Sequence, residues 1–262
     1  MIDFVLSVLL GLIISSASFR LKILTGSGAF ATFILAVIVF YFGKAQWTLP
    51  ILTFFILSSS LSKIRKKFNP RVDEAFQKSE QRDHAQVLSN GGTAGLILLT
   101  NQIFQTELFY IAYVSAIASV CADTWATEIG TLFSVKTYNI LNFEIVEQGI
   151  SGGVSLIGFF GAMLGSTVIF CSAVPWLNNI MLTMPIIIFT GFAASVFDSI
   201  LGLTLQLKLR CTICSKITER KIHCDSRSIY FNGISWLDND WVNFLTSLFG
   251  AFISLLAASI FL

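Results

Sequence analysis

Charged residues are scarce in this sequence. Asp, Glu, Lys and Arg make up 12% of its 262 residues, whereas soluble domains contain about 25%. Hydrophobic residues make up 55% and occur in long blocks. Backbone groups in lipid must be satisfied within the protein, which favours helices. The composition excludes an ordinary soluble domain and predicts an all-α, polytopic transmembrane protein with a single integral-membrane domain over residues 1–262.

Histidine and the familiar nucleotide-binding motifs are also nearly absent. His84 and His223 are the only histidines, so no histidine-based nucleophile system is visible. The sequence contains no GxxxxGK[ST] loop and no protein-kinase signature. Any phosphate chemistry would therefore need a different architecture.

The apolar blocks form eight segments, several of them a little shorter than the roughly 20 residues of a spanning helix. They lie near residues 3–19, 26–43, 47–62, 86–103, 107–126, 152–173, 181–205 and 240–262. The first is followed by Arg20 and Lys22 and lacks a small-residue cleavage site. We therefore interpret it as a retained span rather than a signal peptide.

The basic residues indicate an orientation. All but one of the 17 basic residues fall in alternate loops, and Lys44 is the exception. The positive-inside rule places these loops in the cytoplasm and both termini on the opposite side. The longer cytoplasmic loops are expected near 63–85, 127–151 and 206–239. Among the acidic residues only Asp3 and Glu107 fall on the other side, so we expect an active site at the cytoplasmic face, in a bacterial or archaeal cell membrane.

The stretch from Arg82 to Gly95 places polar residues at the start of the fourth segment. Arg82, Gln86 and Asn90 recur every four residues, so a helix would put them on one face. Asn and Gln inside an apolar span cost free energy unless they are paired, which favours a binding role. The alternative is a polar helix end, with the nearby glycines serving helix packing.

The stretch CADTWATEIG ends the fifth segment with two carboxylates. Asp123 and Glu128 are five residues apart, so on a regular helix they point about 140° away from each other. Either the helix breaks near Trp125, or the two carboxylates have different partners. Carboxylates together with substrate phosphates suit Mg²⁺. The alternative is an interfacial helix end with Trp125 in the aromatic belt.

Four further residues suggest ligand binding at the same face. Gly152 and Gly153 lie in a Gly/Ser-rich turn before the sixth segment, where helix amides can bind an anion. Asp198 is an intramembrane carboxylate, which is a functional hypothesis by default, although a hydrogen bond between helices would also explain it. Asp240 would either cap the last helix or bind a metal or nucleotide.

A cysteine-rich loop follows the seventh segment. Cys211, Cys214, His223 and Cys224 offer three thiols and an imidazole, a donor set that can hold tetrahedral Zn²⁺. The cytosolic position argues against a structural disulfide. Adjacent His223 and Cys224 would strain a single site, so a reduced loop without metal is the alternative.

The order of these motifs resembles a known family. The chain contains RDHAQVLSNGG, ADTWATEIG, GISGGVSLIGFFGAMLG, FDSILGLTLQ and CTICSKITERKIHC…GISWLDNDWVN. Together they resemble the integral-membrane family that includes the plant phytyl-phosphate kinase, over nearly the whole chain from Arg82 on. The resemblance implies transfer of the γ-phosphoryl group of an NTP, often CTP, to an isoprenyl monophosphate such as phytyl or geranylgeranyl phosphate, giving the diphosphate.

On this interpretation the polar residues receive roles. The predicted catalytic and Mg²⁺-binding residues are Asp123, Glu128 and Asp198. The predicted substrate- and phosphate-binding residues are Arg82, Gln86, Asn90, Thr124, Gly152, Gly153 and Asp240. The expected partners are membrane lipid, an isoprenyl phosphate and a nucleotide, with no nucleic acid. The alternatives are a transporter or flippase of a lipid-linked or anionic substrate, or another lipid-phosphate transferase.

Overall fold

The structure is a computed structural model that describes residues 2–70 and 81–262. Its helices are α1 Ile2–Arg20, α2 Gly26–Phe68, α3 His84–Phe104, α4 Glu107–Gly130, α5 Leu156–Ala173, α6 Ile180–Thr204 and α7 Asn239–Phe261, with a 3₁₀ turn at Val174–Trp176. The prediction of a polytopic helical membrane protein is confirmed. Arg71 and Lys78, two basic residues of the predicted loop 63–85, lie outside the described residues.

Six helices of the described segments are long and apolar enough to cross a membrane, namely all except α3. The predicted number of eight spans is therefore not confirmed by this count. Helix α2 has 43 residues and would be about 64 Å long if straight. It is interrupted at Lys44, whose φ of 51° and ψ of −154° are not helical. Helix α2 thus consists of two helical arms that meet between two of the predicted segments.

The two ends of the helix bundle differ in polarity. At one end, which we call the distal end, Lys44 contacts Asp3 at the start of α1 at 2.6 Å. Glu107, which begins α4, accepts hydrogen bonds there from Asn178. The opposite end, which we call the cavity end, carries the longer connections between helices, and the predicted functional residues lie there.

Helix α4 is the centre of the bundle. Every residue from Tyr110 to Ala122 is buried. Glycines let α5 pack closely against it: a Cβ at Gly161 would lie 2.6 Å from the carbonyl oxygen of Trp125, and one at Gly165 would lie 2.9 Å from that of Cys121. Small residues at such crossings allow helix backbones to approach each other. This packing fixes the end of α4, where Asp123 lies.

Short antiparallel strands occupy the connections at the cavity end. One sheet has the order β2-β1-β3, another β5-β4-β8, and β6 pairs with β7. The strands are β1 Thr137–Asn139, β2 Ile145–Val146, β3 Gly153–Val154, β4 Lys208–Arg210, β5 Ile217–Thr218, β6 Ile222–His223, β7 Ser226–Arg227 and β8 Ile229–Asn232. These strands are not predictable from the sequence, because strands of two to four residues are too short to show a periodicity.

Candidate functional site

A cavity of about 340 Å³ lies at the cavity end. Its walls come from helices α2 to α7 and from connections at the same end, namely the loop after α1, the segment before α3, and the loops after α4 and α6. Its charged lining residues are Lys22, Lys63, Arg65, Lys66, Arg82, Asp123, Glu128, Asp198, Glu219 and Asp240. All of the residues predicted to be catalytic or to bind substrate line this cavity. The structure thus brings together residues that are up to 158 positions apart, from Arg82 to Asp240.

Asp123 and Glu128 have different partners because α4 continues unbroken to Gly130. The alternative of a helix break near Trp125 is therefore wrong. Glu128 is buried, and its two carboxylate oxygens accept hydrogen bonds from α2, one from the Ser62 hydroxyl at 2.5 Å and one from Arg65 Nε at 2.8 Å. The role of Glu128 as a metal ligand stays a prediction, while its contacts identify it as the partner of Arg65.

Asp123 and Asp198 form the carboxylate side of the cavity. They lie close enough for their charges to interact. Asp198 also accepts a hydrogen bond from the Thr246 hydroxyl of α7 at 2.9 Å. A pair of neighbouring carboxylates without a cation between them repels, so this donor set fits a hard divalent cation such as Mg²⁺.

Asp240 lines the cavity from the first turn of α7. The cap of this helix is Asp238, whose side chain accepts a hydrogen bond from the amide of Trp241. The alternative in which Asp240 caps the helix is therefore wrong. Asp240 is buried and adds a third aspartate to the cavity wall.

Arg82 is held in place by its backbone. Its carbonyl accepts from the amide of Thr25, and its amide donates to the carbonyl of Ile23, both at 3.0 Å. A Cβ at position 28 would lie 2.2 Å from the Arg82 carbonyl oxygen, so this contact requires Gly28. Arg82 precedes α3 and is not part of it, yet it lines the same cavity as Gln86. Burial lowers the pKa of Arg82, while the negative charge of Glu128 opposes that shift.

The glycine turn has a structural explanation. Gly152 has a φ of +81°, and a Cβ there would lie 2.5 Å from Cβ of Leu203 on α6. Helix α5 begins at Leu156 and is capped by Ser155, whose hydroxyl accepts from the amide of Gly158 at 3.0 Å. Gly152 and Gly153 both line the cavity, but the first turn of α5 already has a cap in Ser155. A phosphate-binding role for the two glycines therefore stays a prediction.

Several cavity residues were missed by the sequence analysis. Lys22, Lys63, Arg65 and Lys66 were counted only as topogenic charges. Glu219 was not singled out, although it lies between the cysteine pair and His223. The Ser151 hydroxyl donates to Glu219, and burial raises the pKa of this carboxyl to about 7. Its position between predicted metal ligands was the available signal.

An apolar groove adjoins the cavity. It has a volume of about 70 Å³ and is bordered by α1, both arms of α2, and α3. Its apolar lining residues include Ile14, Leu35, Ala36, Val39, Phe40, Ile51, Leu52, Phe54 and Phe55. Arg82, Gln86 and Asn90 line both the cavity and the groove. The guanidinium of Arg82 lies 6.0 Å from the ring centre of Phe54. Charged and apolar spaces therefore meet at these three side chains.

The predicted zinc ligands also come together. The side-chain donor atoms of Cys211, Cys214, His223 and Cys224 all lie within 4.8 Å of one another. The amide of Cys214 donates to the Cys211 sulfur, and this is the main reason why the pKa of Cys211 is lowered to about 6. None of the five cysteines, all of them in the described residues, forms a disulfide.

Comparison with known proteins assigns the family. The family model described as integral membrane protein DUF92 matches residues 9–251. The chain belongs to the DUF92 family. This confirms the resemblance indicated by the motifs.

Proteins of a plant and of an archaeon are similar to this chain. Protein PGR of Arabidopsis thaliana is 28% identical over 97% of this chain and 96% of its own length. Protein VTE6, chloroplastic, from the same plant is 24% identical, covering 89% of this chain and 65% of its own length. An uncharacterized membrane protein of Methanocaldococcus jannaschii is 30% identical over 56% of this chain and 60% of its own length. No solved structure matches the chain.

Proposed function

We propose that the protein is a membrane-embedded kinase. It transfers the γ-phosphoryl group of a nucleoside triphosphate, for which CTP is one candidate, to an isoprenyl monophosphate such as phytyl or geranylgeranyl phosphate. The observation that carries the proposal is the wall of Arg82, Gln86 and Asn90, shared by a charged cavity and an apolar groove. A substrate with a phosphate head and a hydrocarbon tail matches both spaces at once.

The acceptor phosphate is proposed to bind at the shared wall. Arg82 would contact its oxygens, and Gln86 and Asn90 would donate hydrogen bonds to them. The first part of the tail would lie in the apolar groove. Lining residues such as Ile14, Phe40 and Phe55 are only half-buried, so the rest of the tail can continue into lipid.

The basic residues of α2 are proposed to bind the nucleotide phosphates. Lys63, Arg65 and Lys66 lie on the wall contributed by the end of α2. Two phosphorylated substrates bring several negative charges into one space, and positioning with charge stabilisation is the main contribution of a protein to phosphoryl transfer. Glu128 would hold the Arg65 guanidinium in its place on this wall.

Asp123, Asp198 and Asp240 are the proposed Mg²⁺ ligands, and Mg²⁺ bound there would neutralise part of the nucleotide phosphate charge. An oxygen of the acceptor phosphate forms the new bond to the γ-phosphorus. The bond from the γ-phosphorus to the β–γ bridging oxygen breaks, and the nucleoside diphosphate leaves. The attacking oxygen is already anionic at neutral pH, so the reaction needs no strong general base.

We further propose eight spans with both termini opposite to the cavity. The two arms of α2 would each cross the bilayer, with Lys44 at the distal surface. Helix α3 would cross with its polar residues facing the cavity, which explains its low hydropathy. The cavity would face the cytoplasm because the basic residues gather at its end. Cysteines introduced singly at Ser235 and at Leu262 would then add labelling by a membrane-impermeant thiol reagent from opposite sides, beyond the labelling of the exposed native cysteines. Labelling from the same side would contradict this topology.

The kinase activity is tested with purified protein in detergent and Mg²⁺. Each of the four NTPs is combined with a panel of prenyl monophosphates, and the products are identified by mass spectrometry. We expect a prenyl diphosphate and the corresponding nucleoside diphosphate. The Asp123→Asn variant should lose this product, whereas Asp3→Asn, at the distal end, should retain it.

Other products would favour the alternatives. If folded protein forms no new phosphoanhydride with any substrate pair, the kinase proposal is wrong. Flux of an intact prenyl phosphate across liposomes without nucleotide turnover would then indicate a transporter or flippase. A phosphodiester or a prenylated product would indicate another transferase.

A further inference from the structure

We propose that Cys211, Cys214, His223 and Cys224 bind a structural zinc ion. The site would connect the two halves of the loop between α6 and α7. This inference does not depend on the kinase activity, because it concerns the geometry of a loop beside the cavity.

The distances between the donor atoms fit a tetrahedral site. His223 Nδ1 lies 3.6 Å from the Cys214 sulfur and 3.2 Å from the Cys224 sulfur. With Zn–S bonds of about 2.3 Å and Zn–N bonds of about 2.0–2.1 Å, tetrahedral ligand atoms are separated by roughly 3.5–3.8 Å. The four donor atoms lie within 4.8 Å of one another, so small side-chain shifts suffice to close a tetrahedron.

The first half of the site is a tight turn around a sulfur atom. The amides of Ile213 and Cys214 donate to the Cys211 sulfur at 3.4 and 3.5 Å. The chain then reverses at Ser215, whose φ is 60°, and the amide of Cys211 donates to the carbonyl of Lys216 at 2.9 Å. Amide donors directed at a sulfur stabilise the thiolate form, which is the form that binds a metal.

The second half explains how adjacent residues reach one site. Strands β6 and β7 form a hairpin in which His223 is opposite Ser226. Its two central residues, Cys224 and Asp225, have φ values of 51° and 55°, as in a type I′ turn. Neighbouring residues of a strand point to opposite faces, but this turn interrupts the alternation. The strain expected from adjacent ligands is therefore taken up by the backbone.

The identity of residue 224 supports the proposal independently. The positions of a type I′ turn favour Asn, Asp and Gly, because left-handed backbone is sterically unfavourable for other residues. Asp225 follows this preference and Cys224 does not. A cysteine whose sulfur faces His223 at such a position indicates that the thiol is used.

Three thiols and one imidazole select the class of metal. These are soft or borderline donors that suit Zn²⁺, whereas Mg²⁺ and Ca²⁺ require oxygen ligands. On the proposed cytoplasmic side the thiols stay reduced.

A zinc ion at this site has a consequence for Glu219, which lies between Cys214 and His223 and follows β5. Zinc would fix both ends of this segment and thereby hold Glu219 against Ser151 in the cavity wall.

The test is the metal content of the full-length protein, purified in detergent under reducing conditions and measured by inductively coupled plasma mass spectrometry. We expect an equimolar amount of zinc in the wild-type protein. Cys214→Ser should lose it. Cys171→Ser is the matched control, since Cys171 is an exposed thiol of α5 outside the cluster, and it should keep the zinc.

A second measurement covers the case in which Cys214→Ser does not fold. Wild-type protein is treated with a mercurial thiol reagent, and released zinc is followed with a colorimetric chelator. Release of one zinc per chain supports the site. Cobalt-substituted wild-type protein should show the absorption bands of tetrahedral Co²⁺ with thiolate ligands. Folded wild-type protein with far less than one zinc, iron in place of zinc, or zinc retained by folded Cys214→Ser would overturn the proposal.

Discussion

The molecule has an ion pair at each end, and the two pairs differ in their surroundings more than in their distances. At the distal end, Lys44 and Asp3 are 2.6 Å apart with 65% and 66% of their side chains exposed. At the cavity end, Arg65 and Glu128 are 2.8 Å apart with only 2% and 11% exposed. The shorter pair is the one that water and salt can screen.

The difference shows why the distance between the charges does not by itself predict how much each pair contributes to stability. An exposed pair has little net effect, because each charge is already well solvated. A buried pair is different: removing one partner leaves the other charge in a place that water does not reach. The exposed pair would fix one end of α1, whereas the buried pair fixes a cationic side chain on the wall of the proposed active site.

The largest expected effect comes from removing a carboxylate of the cavity, with Asp3 of the exposed pair as the control. Asp198→Asn should lower the rate of prenyl diphosphate formation by about 10²–10³-fold or more, because it removes a charge of the proposed Mg²⁺ site. Asp3→Asn should leave the rate unchanged. The rates are measured at saturating nucleotide with protein whose helical circular dichroism is intact. Equal rates in folded Asp198→Asn and wild-type protein would place the chemistry elsewhere.

The next test breaks each pair by removing its cation. Arg65→Ala should lower the free energy of unfolding by about 3–5 kcal/mol, because Glu128 is left buried without its partner. Lys44→Ala should leave stability unchanged within error. Unfolding in detergent is followed by tryptophan fluorescence. In Arg65→Ala/Glu128→Gln the loss should be partly restored, and similar effects of the two single substitutions would contradict the comparison.

A smaller effect is expected from filling the apolar groove. Ala36→Phe places a ring in the groove without removing a charge, and it should raise KM for prenyl monophosphates by about tenfold or more while nucleotide binding is retained. Ala193→Phe is the control, since Ala193 is an exposed residue of α6 that lines neither space. A KM that changes equally in both variants would indicate that the tail does not bind in the groove.

The smallest expected effect concerns protonation at the cavity wall. Burial raises the pKa of Glu219 from its ordinary value of 4.5 to about 7, and Asp198 and Lys208 are the charged groups near it. The folded state holds this proton more tightly, so the stabilisation is complete below pH 4.5 and is lost as the pH rises to about 7. Relative to Glu219→Gln, the wild-type melting temperature should fall by a few degrees across this window. A constant difference from pH 4.5 to 8 would contradict the raised pKa.

The residues predicted from sequence were those that stand out against an apolar background. Asp123 and Asp198 are costly in lipid, so their presence in hydrophobic segments indicated a site, and the structure brings them to one cavity. Arg65 was missed because it lies within a basic run that also has a topological explanation. Its significance depends on Glu128, which is 63 positions away in the sequence.

Predictions from local sequence patterns also failed where contacts between distant residues determine the structure. The break considered near Trp125 does not occur, since Trp125 donates a hydrogen bond to Ser58 on α2 and lies inside a continuous helix. The strands were not predictable because each consists of two to four residues, too few to show a strand periodicity. The cap of the last helix is Asp238, two residues before the Asp240 considered from the sequence, because composition does not fix the first residue of a helix that closely.

The burial of α4 has a consequence for the response to bilayer thickness. Helices that contact acyl chains tilt or shift when the hydrocarbon layer becomes thicker or thinner. From Tyr110 to Ala122, α4 contacts protein on all sides, so its depth is set by neighbouring helices rather than by lipid. Asp123 lies directly after this stretch. We therefore expect the Asp123 carboxylate to keep its position in lipids of different acyl-chain length, even where the outer helices adjust.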